Sequence, residues 1–177
     1  MRCSNVRLLM RATALLVLAG CAAAPHPPPT PATDPIASHR AQVEADIALI
    51  NSYRLTDATL SRYIAAARGF TGVQRIFSDT LFRRGAPGPT IDDLAGILER
   101  NHATRSALAN AGITSREFVT FIFTLFQAGM AAWLVEQHGW DKLPPEIARD
   151  NVVFYQLHKT QLDSLTAELK QREGDLP

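Results

Sequence analysis

Cysteine is almost missing from this chain. It has two, Cys3 and Cys21, and none in the 156 residues that follow. From residue 22 onward it can therefore form no internal disulfide, offers no thiolate nucleophile or thiolate metal site, and lacks the C-x-x-C-H of covalent haem attachment. Stability has to come from an apolar core, which a domain of roughly 140 residues can build unaided. Lysine is scarce, three against fifteen arginines, and the net charge is only +1. No clustered basic surface accompanies it, which excludes the electrostatic footprint of a nucleic-acid binder. No glycine-rich phosphate loop occurs, and no segment alternates apolar and polar residues as a half-buried strand would. The expectation is an all-α protein.

The N-terminus is informative. Arg2, Arg7 and Arg11 precede the short apolar run Ala12 to Leu18. A spanning helix needs roughly 20 apolar residues, whereas a secretory signal needs about 7 to 15, so this run fits a signal at its lower edge. Leu18-Ala19-Gly20-Cys21 then resembles the lipobox of bacterial lipoproteins. That resemblance implies cleavage of residues 1–20 as a signal peptide and diacylglyceryl attachment at Cys21, with acylation of the new N-terminus. The lipid bilayer is then a partner through the acylated Cys21. Ala22 stands where an aspartate holds enteric lipoproteins in the inner membrane. The resemblance therefore implies the inner leaflet of the outer membrane, facing the periplasm. Without its first 20 residues the chain keeps 15 basic against 17 acidic groups.

Residues 21–36 read as a lipidated, proline-rich tether, with Pro25, Pro27, Pro28, Pro29, Pro31 and Pro35 within it. Such a run favours extended polyproline II, and fourteen residues at about 3.1 Å each span roughly 40 Å. Residues 37–173 read as one helical domain of about five to seven helices. A first helix is expected over Ser38 to Tyr53. Thr56 looks like the cap of a second, with Leu55 and Leu60 as a hydrophobic staple. Gly69 and Gly72 interrupt its stripe before Val73, Ile76, Phe77 and Leu81 resume it. Gly85 to Pro89 is a loop, and Thr90 caps the next helix, with Leu94 and Leu98 inward. Gly112 fits the left-handed end of a helix over Ala103 to Ala111, and Ile113 can then touch Leu108. Thr114-Ser115-Arg116-Glu117 has the spacing of a capping box, stapled by Ile113 and Phe118.

The helix introduced there, residues 115–138, is apolar on nearly every side from Phe118 to Val135. Eighteen residues cover about 27 Å, enough for a membrane span by length. A buried central helix is the better expectation, because removing it would strip the others of their core, with Phe118, Phe121, Phe123 and Phe126 in that core. A last helix starts at Pro145 or after Asp150, runs to Gln171, and should turn Phe154, Leu157, Leu165 and Leu169 inward. Gly112–Phe126 and Leu143–His158 resemble an uncharacterised family of small secreted bacterial helical proteins. That likeness implies the helical fold and carries no functional residue.

Chemistry-bearing residues are few. Glu99-x-x-His102 has the spacing of di-iron carboxylate bundles, but such sites need two pairs and no second one exists. His138 suits a helix C-terminus, where a cation complements the dipole. Asn151, Tyr155 and His158 fall on one face of the last helix and form a weak ligand-pocket candidate. No catalytic, cofactor or metal site is expected beyond these, and no nucleic-acid partner. The expectation is a tethered, non-enzymatic interaction or envelope-maintenance module with an envelope protein as partner. The alternative is a carrier or sensor for a small apolar ligand held between the central and last helices.

Overall fold

Side chains at the helix boundaries fix where each helix of the computed structural model begins and ends. The structure describes residues 34–69 and 88–174. The signal, Cys21, the tether up to residue 33 and the Val73–Leu81 stripe lie outside these residues. Helix α1 is Pro35–Ser52, and the Asp34 carboxylate accepts the Ile36 N–H at 3.0 Å to cap it. Pro35, read above as tether, is instead in the first turn, where its missing N–H costs nothing. Helix α2 is Asp57–Gly69, and the Thr56 hydroxyl accepts the Thr59 N–H at 3.2 Å. Leu55 and Leu60 are both buried in one cluster, as the staple expected.

Helix α3 is Ile91–Arg100, and its start carries a reciprocal box. The Thr90 hydroxyl accepts the Asp93 N–H at 3.1 Å, and Asp93 accepts the Thr90 N–H at 2.9 Å. Helix α4, His102–Asn110, is capped by the Asn101 side chain. Its end follows the expected geometry: Gly112 has φ of 67°, and the Ile113 N–H donates to Leu108 O at 3.1 Å. Helix α5 is Ser115–His138. Its Thr114 cap accepts the Glu117 N–H at 3.1 Å, but the Glu117 carboxylate does not complete a box. It turns instead to Arg62 of α2, at 2.9 Å, where a full charge outcompetes a backbone N–H. Gly139, at φ 90°, ends α5. A 3-10 turn, Trp140–Lys142, leads to the last helix, α6, Arg149–Gly174. Arg149 lies 4.5 Å over the Trp140 ring at that corner.

All the other described helices pack on α5, which is the centre of an all-α bundle. Phe118, Val119, Phe121 and Thr124 of α5 are fully buried. Tyr63 of α2 stacks on two of them, 5.1 Å from Phe118 and 4.8 Å from Phe121, joining two core clusters. Asp46 of α1 is buried and accepts the Ile91 N–H at 2.7 Å, so α1 reaches across to the start of α3. Gln42 also donates to Asp46, at 3.1 Å. On the other side, Arg68 pairs with Glu168 at 2.9 Å and ties α2 to α6.

Two expectations about the core are corrected. Phe126 is 68% exposed although it lies two helical turns beyond fully buried Val119, on the same face. Val119 lies in the cluster with the α3 core residues Leu94, Ala95 and Leu98, and Phe126 belongs to no buried cluster. Leu157 is 77% exposed. It points roughly 140° around α6 from buried Val152, at about 100° per residue, while Leu162 and Leu165 take the inward positions. Phe123 is half-buried against the core.

Phe121→Ala should cost about 3–5 kcal/mol, whereas Phe126→Ala should stay within about 0.5 kcal/mol, both read from urea unfolding curves. Equal losses would contradict the burial difference. The backbone and hydroxyl donors of Thr90 hold the Asp93 carboxyl below its ordinary 3.8. Its folded value is depressed, so its stabilisation is present above the unfolded value and lost as pH falls through the folded one. Asp93→Asn should thus lower thermal stability at neutral pH and converge with wild type on acidification, checked by melting curves across acid pH.

Candidate functional site

Asn151, Tyr155 and His158 share a helix face; Asn151 and His158 both reach the stretch from Tyr53 to Asp57, and Tyr155 reaches α5. Asn151 is 2% exposed. Its amide donates to Tyr53 O at 2.9 Å, and its oxygen accepts the Leu55 N–H at 3.0 Å. Both functional atoms thus satisfy backbone groups of the α1–α2 connection, which has no helical partner for them. Tyr155 lies against Gly129 of α5, where a Cβ would come within 2.9 Å of the ring. That contact packs Tyr155 tightly on α5. His158 Nε2 is 2.9 Å from Asp57 Oδ1, its Nδ1 is 3.3 Å from Gln161 Oε1, and its ring lies tilted by 38° against Phe154, with centroids 4.3 Å apart. Asp57 supplies the orienting carboxylate that α6 alone does not show. None of the three lines either of the two hollows formed by the described residues.

Glu99 and His102 fall on different helices, because Asn101 is extended between them and ends the helical spacing. The Glu99 carboxylate accepts the Ser115 hydroxyl proton. His138 is the exposed last residue of α5. Among the described residues, no group of three or more His, Cys, Asp or Glu is placed to hold a metal ion.

A groove of about 680 Å³ opens where α3, α4 and the start of α5 meet. Leu108 and Ile113 form its apolar part, and Glu99, Arg100, Arg105 and Ser115 its polar part. The polar groups are largely spent on each other: Glu99 holds Ser115, and Arg105 donates to Glu99 O at 2.8 Å. A smaller hollow of about 260 Å³ lies between α2 and α4.

Sequence reasoning missed one polar cluster. Arg62 meets the Glu117 carboxylate through both terminal nitrogens, at 2.9 and 3.4 Å, and donates to Gly112 O at 3.1 Å. Tyr53 lies beside them, and burial first, then the Glu117 charge, pushes its phenol pKa up. The capping-box spacing concealed this pairing by giving Glu117 a local partner. The feature left unspent is apolar. Phe126, Met130 and Trp133 of α5 are 68%, 55% and 56% exposed, at spacings of four and three residues, hence on one face.

Asn151→Ala should destabilise by about 1–3 kcal/mol, since it leaves the buried Leu55 N–H unsatisfied. His158→Ala should cost at most about 1 kcal/mol, as its partner Asp57 is exposed. Chemical denaturation of both variants checks the contrast, and a larger loss at His158 would contradict it. Compared with protein-family models, characterised proteins and solved structures, the chain matches none.

Proposed function

We propose that this chain is a lipoprotein, anchored through Cys21 and serving as a non-enzymatic interaction module at the envelope membrane. The observation that carries the module reading is the exposed apolar face of α5. A water-soluble bundle gains nothing from leaving Phe126, Met130 and Trp133 in water, and an exposed apolar patch of this kind marks a contact surface. The anchor reading rests on the order of basic residues, short apolar run and Leu18-Ala19-Gly20-Cys21, followed by a proline-rich spacer. Several acyl chains on one cysteine hold a protein to a membrane far more firmly than the marginal binding of one. Ala22 favours the outer membrane over the inner.

Cys21→Ser should abolish incorporation of labelled palmitate and block cleavage after Gly20, so that the unprocessed precursor accumulates. Wild type should fractionate with outer membranes. Unchanged labelling in the variant would overturn the anchor, and wild type in inner-membrane fractions would overturn the address.

A further inference from the structure

We infer that Phe126, Met130 and Trp133 form a membrane-contact patch that lays the helical domain against the surface of a lipid bilayer. This rests on the anchor reading above for the proximity of the bilayer, and on the structure for the patch. The three side chains follow one face of the C-terminal half of α5, each more than half exposed. Their chemistry suits the boundary between headgroups and acyl chains. Tryptophan combines an apolar body with one N–H donor and is favoured at that depth, phenylalanine is purely apolar, and methionine adapts to irregular surroundings.

The stretch Phe126 to Val135 contains no charged residue. Gln127, its longest polar side chain, donates to Asn51 of α1 at 2.7 Å and is thereby turned into the fold. Approach to an apolar surface therefore strips water from no ion along this stretch, the step that makes insertion of charged side chains expensive. The patch is also unsuited to a deep span. The opposite side of α5 carries Phe121, Ala128, Ala131 and Ala132 in contact clusters shared with α6, and these would be torn open.

Fully displayed aromatic side chains offer about 150–250 Å² each, so at 55–68% exposure the three present roughly 350 Å². Two such patches face to face would bury roughly 700 Å² of apolar surface, about the apolar share of the smallest stable protein interfaces, so a second copy is the competing occupant that concentration dependence separates. A lipid surface needs no complementary shape. It also needs little intrinsic affinity, because the chain between Cys21 and Asp34 spans at most about 40 Å. That length holds the domain at the high effective concentration of a short linker.

The test uses the mature, lipidated protein carrying Trp140→Phe, which leaves Trp133 as the one tryptophan. It is reconstituted into vesicles of phosphatidylethanolamine with a minority of phosphatidylglycerol, with or without lipid brominated near the headgroup end of its chains. Circular dichroism verifies that each variant keeps its helices. Trp133 emission should shift to the blue, be quenched several-fold more by brominated than by ordinary lipid, and resist aqueous iodide. Phe126→Ser with Met130→Ser should remove most of that quenching while palmitate labelling stays unchanged. Anchored protein whose Trp133 stays as open to iodide as in residues 21–177 made without signal or lipid and carrying Cys21→Ser would overturn the patch and leave the anchor standing. Quenching in residues 21–177 with Cys21→Ser, made without the signal and mixed with concentrated vesicles, would support the patch whatever the labelling of Cys21 shows. Protection of Trp133 that grows with protein concentration in the absence of lipid would overturn it in favour of self-association.

Discussion

Phe118 and Phe121 on α5 are sealed from water, with Tyr63 of α2 stacked against both rings, and the rest of the domain is arranged to keep them so. Each other helix meets α5, and the core clusters on its two sides share Tyr63 as a partly buried neighbour. Fully burying a large apolar side chain stabilises by about 1.5–3 kcal/mol. A helix this rich in them captures that only if its neighbours cover it. With no cysteine in residues 34–174 to cross-link the chain, packing on α5 is the constraint that holds the bundle.

Polar groups complete that packing at its corners. Asp46 reaches from α1 to the first N–H of α3, and Asn151 reaches from α6 to the backbone on both sides of Arg54. Each satisfies buried backbone groups that would otherwise cost about 1–3 kcal/mol apiece. Arg62 and Glu117 bind α2 to the α4–α5 corner in a similar way, half-exposed and through three bonds. Polar residues that looked available for chemistry are thus committed to the architecture. The uncommitted surface is an apolar one, the Phe126–Met130–Trp133 face, and the functional argument follows from it.

Much of the helix punctuation was legible in the chain, because caps act over three or four residues. Thr56, Thr90, Gly112 and Thr114 all mark the boundaries their spacing implies. The misreadings arose where a local partner competed with a distant one. Glu117 sits three residues after Thr114, as a box requires, and pairs with Arg62 fifty-five residues away. Asn151, Tyr155 and His158 share a face by periodicity, and their partners come from two other segments, Tyr53 to Asp57 for Asn151 and His158 and Gly129 of α5 for Tyr155.

By itself the sequence determined that the protein is all-helical, where most of its helices begin and end, and that α5 is the apolar one. Those properties depend on 3.6-residue periodicity and on capping groups, which are local. Only the tertiary structure decided which side of α5 faces the core. A helix apolar on every side carries no signal for orientation, so Phe121 and Phe126 look equivalent until α2, α3 and α6 are placed. The same placement turned Leu157 outward, spent Asn151 on backbone, and left Phe126, Met130 and Trp133 in water, because the five described neighbours cover only part of one long helix.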